Sequence, residues 1–140
     1  MAIQKQEFYE GAALHQLIRK GSGARIIFLA PFFIIDDRVQ IYLKYSTGIR
    51  SPWGFTFNPD EQDFLYKSAI EKQTVIGLIC GADGIAALPL EKYKKIAIQR
   101  NTAVWVSCQR RHRESYEVSG PDDSVPGKIP PSDWQRLSMT

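Results

Sequence analysis

Residues 36–59 read DDRVQIYLKYSTGIRSPWGFTFNP, and the reading of this stretch decides the fold. Asp36 and Asp37 stand between apolar Ile35 and a run of β-formers, the composition of a two-residue hairpin turn. From Arg38 onward the residues alternate. Val39, Ile41, Leu43 and Tyr45 share one face of a strand; Arg38, Gln40, Tyr42, Lys44 and Ser46 share the other. The first set is expected to be core and the second a polar stripe. STGIRSP (46–52) is a loop by composition. Trp53, Phe55 and Phe57 then alternate with Gly54 and Thr56, which predicts a short strand with its aromatics on one side. Asn58-Pro59-Asp60-Glu61 predicts a helix start, with an N-cap, a proline at the first helical position and two acids against the dipole. That helix is expected to run to about Lys72 and to bury Phe64, Leu65 and Ala69.

Upstream, residues 6–20 carry helical periodicity, with Tyr9, Ala13, Leu14, Leu17 and Ile18 on one stripe and Gly21 and Gly23 as the stop. Glu10 falls inside that stripe. Either it faces the helix dipole from the first turn, or it is aimed inward at a site. Two β-rich runs, about 24–29 and 32–35, are broken at Pro31. Downstream, TVIGLIC and IAALPL flank Gly81-Ala82-Asp83-Gly84 as a hairpin. LEKYKKIAI reads as a short helix, 102–109 as a strand, and 115–120 as its partner. Residues 121–140 form a proline-rich, mostly irregular tail in which Ser132-Asp133 starts a last helical turn docking Trp134 and Leu137. The whole predicts a single α+β domain, with a mixed, mainly antiparallel sheet of about six or seven strands and two main helices.

Composition agrees with this reading. A chain of 140 residues, 44% apolar and 24% charged, has the usage of an ordinary globular domain. The formal charge of +3 is spread evenly, 8 basic against 7 acidic residues in the first half and 10 against 8 in the second. Such a balance permits a local basic patch without requiring one. Cys80 and Cys108 lie in apolar, β-branched sequence and read as two reduced core thiols. The first ten residues lack the apolar core of a signal peptide, and no apolar run reaches the ~20 residues that span a bilayer. The expected setting is therefore cytoplasmic, without a membrane.

The order helix, strand, strand hairpin, helix, further strands resembles the core of PD-(D/E)xK nucleases over residues 7–72. The resemblance implies a metal site in which Glu10 is the helix acid, Asp37 (or Asp36) the aspartate and Lys44 the lysine. The two acids would bind Mg2+, which would generate hydroxide, and the lysine would orient or deprotonate the water. The position two before Lys44 is Tyr42 where the family has an acid, and Gln40 precedes it on the same face. The resemblance is therefore equally that of a relative that binds nucleic acid without cutting it.

A second candidate is the basic segment 89–113. Lys92, Lys94, Lys95, Arg100, Arg110, Arg111 and Arg113 stand against Glu91, for +6, with Tyr93 and Trp105 interleaved as stacking partners. Glu114, Glu117, Asp122, Asp123 and Asp133 follow, against Lys128 alone. If the two flanking strands pair, those acids are expected to lie beside the arginines and cancel them. Gly81–Gly84 lacks the lysine and hydroxyl of a phosphate loop. Ser46, Thr47 and Ser51 have no histidine at a useful spacing. Three expectations follow: a nucleic-acid-associated domain using Lys44, Arg50 and the 92–113 cations; a protein-interaction domain meeting its partner through the 46–57 loop and an exposed Trp53; or a metal-dependent nuclease. Gln40, Tyr42, Arg50 and Trp53 are the residues that turn, core and cap leave without an assigned role.

Overall fold

The computed structural model describes residues 2–20, 23–68 and 72–139. In chain order the elements are α1 (Lys5–Lys20), β1 (Ile26–Leu29), β2 (Phe32–Ile35), β3 (Val39–Ser46), β4 (Trp53–Phe57) and α2 (Pro59–Lys67). There follow β5 (Gln73–Cys80), β6 (Gly84–Pro89), α3 (Leu90–Ile96), β7 (Val104–Gln109), β8 (Glu117–Ser119) and α4 (Asp133–Ser138). The α+β class and the mainly antiparallel pairing are as expected. The strands, however, divide between two sheets, of order β1-β2-β3-β5-β6 and β4-β7-β8.

The division has a simple cause. β3 is paired on one side by β2 and on the other, in parallel, by β5 from Val39↔Gln73 to Ser46↔Cys80. A parallel pair needs a long crossover. Here the crossover contains β4 and α2, so β4 has no edge of β3 to join and pairs with β7 instead.

At the β2–β3 turn, Asp36 and Asp37 take φ of 50° and 56°, and the Arg38 N–H donates to the Ile35 carbonyl at 3.0 Å. The connection holds three residues and not the expected two, since Ile35 pairs with Val39, and its first two take the left-handed backbone that aspartate tolerates. The Asp36 carboxylate also accepts from the Arg25 N–H at 2.9 Å. Asp37 has no such duty: it is 87% exposed and lies 3.6 Å from Lys72. Asp37→Gly is therefore expected to raise the unfolding free energy by about 0.5–1 kcal/mol. It removes a left-handed penalty of about 1–2 kcal/mol and returns part of that as chain entropy. Urea denaturation measures it, and a clear loss of stability would mean that Asp37 is more than a turn residue.

The five-stranded sheet is covered on both faces. Against one face α1 and α4 bring Ala13, Leu17 and Trp134 onto Ile35, Val39, Ile41 and Leu43. On the other face Ile76, Leu78 and Leu88 pack with the aromatic side of β4, Leu65 of α2, Tyr93 of α3 and Val106 of β7. This corrects the expected polar stripe. Gln40, Tyr42 and Lys44 do share a face, but β4 and α2 cover it. Gln40 is buried and donates to the Ser68 carbonyl and the Thr74 hydroxyl, both at 2.8 Å.

Other expectations shift at the edges. Ala13 and Leu17 are buried, whereas Ile18 is 60% exposed. In α2, Leu65 is buried and Phe64 half-buried; the expected burial of Ala69 and the stop at Gly21 lie outside the described residues. The tail is irregular but anchored, with Val125 and Ile129 in the core and Ile129 bridged to Tyr116. Among the described residues no helix is long and apolar enough to cross a membrane.

Candidate functional site

β3, β5 and β7 all end on the same side of the molecule, and the loops that follow them are tied together there. The Gly81 N–H donates to the Ser46 carbonyl at 2.8 Å, and the Trp53 indole to the Gly48 carbonyl at 2.9 Å. A Cβ on Gly81 would stand 2.3 Å from the Gly48 oxygen, and its φ is +54°, so only glycine allows this approach. The Ser51 hydroxyl donates to the Arg110 carbonyl at 3.2 Å, which brings the loop carrying Arg50 alongside the loop carrying Arg110–Arg113.

Arg110 is held from several directions. Its Nη1 donates to Asp83 at 2.9 Å and its Nε to the Glu114 carbonyl at 2.6 Å, while the guanidinium lies 5.0 Å from the centre of the Tyr116 ring. The Tyr116 hydroxyl donates to the same Asp83 oxygen at 2.8 Å. Burial first, and then this carboxylate, push the Tyr116 hydroxyl's pKa up, so the phenol stays a donor. Beyond this anchor Arg111, His112 and Arg113 are exposed. Arg113 is left-handed, with φ 62°, within a turn closed by the Glu114 N–H on the Arg111 carbonyl at 3.0 Å. A positive φ at the third residue of such a turn is a normal turn geometry, more often taken by glycine or asparagine.

The strands flanking this loop do pair, Ser107↔Ser119 to Gln109↔Glu117, and the expected cancellation of charge follows only in part. Glu114 and Glu117 turn to Lys128, at 2.8 and 3.6 Å, and Asp122 to Arg100, at 2.5 Å. The Lys128 hydrogen bond holds the Glu114 carboxyl below its usual range. Among the described residues Arg50, Arg111 and Arg113 have no carboxylate partner. Asp83 is the acid that pairs with Arg110, and the Glu114 carboxylate, though bonded to Lys128, also feels the charge of Arg111.

The basic segment is not one surface. Lys94 and Lys95 belong to α3, which follows the far end of β6, a strand of six residues or about 20 Å. Lys94 lies over the Tyr66 ring at 5.1 Å, and Lys95 is exposed at that opposite end. Trp105, exposed near the start of β7, lays its ring over Gly54.

Lys44 and Tyr42 meet a residue that the sequence presents only as a helix-start acid. Glu61 Oε2 accepts from Lys44 Nζ at 2.7 Å and from the Tyr42 hydroxyl. Its Oε1 accepts from the Asn58 N–H at 3.1 Å, completing a capping box. Lys44 also donates to the Thr56 carbonyl at 2.7 Å and stands 5.0 Å from the centre of the Phe57 ring. Burial and the Glu61 carboxylate raise the Tyr42 pKa, with a smaller contribution from Glu10. The network is satisfied within the fold, and it joins β3, β4 and α2.

Glu10, Asp37 and Lys44 do not converge. Tyr9 stacks on Tyr45 with ring centres 5.0 Å apart, which places the neighbouring Glu10 at the Lys44 end of β3. Asp37 precedes the other end of the strand. From 37 to 44 the chain advances about 23 Å, whereas two oxygens on one Mg2+ lie within about 4 Å of each other. Glu10 instead accepts from the Gln6 amide at 2.8 Å. Among the described residues no group of three or more His, Cys, Asp or Glu side chains is placed to hold a metal ion. Of the two readings open for Trp53, exposed anchor or core aromatic beside Phe55 and Phe57, the structure has the second, with 3% exposure; the exposed tip of its loop is Ile49.

Compared with known proteins, the chain matches no family model, no curated protein and no solved structure.

Proposed function

We propose that the protein binds the phosphate backbone of nucleic acid through the loops that follow β3, β5 and β7, without cutting it. One observation carries this reading: Arg110, Arg111 and Arg113 line one loop beside Asp83, the loop carrying Arg50 lies alongside it, and Arg50, Arg111 and Arg113 form no ion pair among the described residues. Arg110, fixed by Asp83 and Tyr116, positions the loop; Arg111 and Arg113 present exposed guanidinium groups suited to phosphate oxygens. The element order α1, β1, β2, β3, α2, β5 also supports a nuclease-like ancestry, with β4 inserted before α2. The separation of Asp37 from Glu10 and Lys44 favours binding over metal-dependent cleavage.

Phosphate binding must weaken with salt. Each phosphate contact in duplex DNA adds about 0.9 to the slope of log K against log salt. Arg111→Ala/Arg113→Ala is therefore expected to reduce that slope by about 2 and to lower affinity at low salt, measured by fluorescence anisotropy on a labelled oligonucleotide. Lys94→Ala/Lys95→Ala, at the other end of the molecule, should leave the slope unchanged. Binding indifferent to salt and to the arginine pair would overturn the proposal. That result would favour a protein partner on the same loops, where Ile49 is 93% exposed.

A further inference from the structure

Cys80 closes β5 of the five-stranded sheet, and Cys108 lies in β7 of the three-stranded one, 28 residues away. Both side chains are fully buried, and their sulfurs stand 3.6 Å apart. The Cys80 thiol is also directed at the Leu78 carbonyl, at 3.5 Å. No third ligating side chain joins the pair among the described residues, so its characteristic chemistry is that of two apposed thiols. A disulfide needs the sulfurs at about 2.05 Å. The closure required is thus about 1.5 Å, within the range of small rotations about the two Cα–Cβ bonds and a small shift of the strand ends. Cys80 is followed directly by Gly81 and the turn to Gly84, so a shift at the end of β5 must carry or break the hydrogen bonds of Gly81 to Ser46 and of Asp83 to Arg110.

We infer that Cys80 and Cys108 form a modification site, a thiol pair that disulfide oxidants such as oxidised glutathione convert into an intramolecular bond stapling the two sheets. The step balances by thiol–disulfide exchange. One cysteine thiolate attacks a sulfur of the oxidant, forming a mixed disulfide and releasing one glutathione thiolate. The second cysteine thiolate then displaces the other glutathione. The protein loses two protons and two electrons, and the oxidised glutathione takes them up as two molecules of the thiol. Because both sulfurs are buried, the first attack requires local opening at the Gly81–Gly84 turn. The hydrogen bond to Cys108, and then burial, raise the Cys80 pKa and keep its thiolate scarce in the closed state. Oxidation is therefore slow near neutrality and accelerates with pH. This inference is independent of nucleic-acid binding.

The test is incubation of the native protein with oxidised glutathione, followed by blocking of free thiols, intact mass and peptide mapping. The expected product is a monomer that has lost two hydrogens, with the Cys80 peptide joined to the Cys108 peptide. Its melting temperature should rise by about 10 °C, the order given by closing a loop of this length. Cys108→Ser should show no such loss and no such rise. Thiols that remain free, products limited to glutathione adducts or intermolecular dimers, or an equal rise in Cys108→Ser would overturn the inference.

Discussion

Trp134→Ala is expected to lower the unfolding free energy by about 3–5 kcal/mol, the largest single effect foreseen for this chain. The indole is 1% exposed and fills the space between α1 and the five-stranded sheet. Its ring lies so close over β5 that a Cβ on Gly77 would come within 2.9 Å of it. Its Nε1 donates to the Ala13 carbonyl at 3.1 Å, so truncation leaves a cavity and also strips a buried carbonyl of a partner. Urea denaturation at constant m-value measures the cost. Trp134→Phe should recover part of it by refilling the cavity without the hydrogen bond. A loss below about 1 kcal/mol would mean that α4 is not docked as described, because a well-packed tryptophan cannot be removed so cheaply.

Glu61→Ala is expected to cost about 3 kcal/mol. Three donors lose their acceptor together: the Asn58 N–H, the Lys44 ammonium and the Tyr42 hydroxyl. Loss of the cap costs roughly 1 kcal/mol. The remainder comes from leaving Lys44 unpaired, since its side chain is 20% and that of Glu61 13% exposed. Such a pair is screened less than a surface one and more than a fully buried one. Glu61→Gln should cost less, because the amide oxygen can still serve the cap or the phenol. A double-mutant cycle with Lys44→Met should give a coupling of about 1–2 kcal/mol. Coupling near zero would show that Lys44 does not depend on Glu61. Neither variant should change the salt dependence of nucleic-acid binding, since Lys44 is committed inside the fold.

How much of this was legible depends on how local each decision is. The Asp36-Asp37 turn and the Asn58 cap were readable because each is settled within four residues, by left-handed backbone and by orphan N–H groups. Alternation in β3 correctly separated Val39, Ile41 and Leu43 from Gln40, Tyr42 and Lys44. A period of two, however, says which side chains share a face and nothing of what covers that face. Gln40, Tyr42 and Lys44 therefore read as a solvent-facing stripe, although β4 and α2 lie over them. Glu61 was visible as a first-turn acid, and its larger role was not, because its partners stand 17 and 19 residues earlier.

The same limit governs the candidate site. The pairing of the strands on either side of Arg110–Arg113 followed from composition. Which cations the neighbouring acids would choose did not, since Lys128 and Arg100 reach them from outside the hairpin. Lys94 and Arg111 are near in sequence and lie at opposite ends of the molecule because β7 intervenes. The Ser51 contact brings the loop of Arg50 alongside Arg110, and Cys80 meets Cys108 because β5 and β7 pack face to face. No spacing rule reports such meetings.

The division of the strands between two sheets bears on how the chain is made. Synthesis proceeds from the N-terminus, so the five-stranded sheet has all its strands once Pro89 has been added. At that point one face still lacks β7 and β8, and the other still lacks Trp134. The nascent chain therefore carries a fully paired but half-covered sheet through the synthesis of some 45 further residues, at about 5–20 residues per second. The last turns of helix to be added are the ones that seal it.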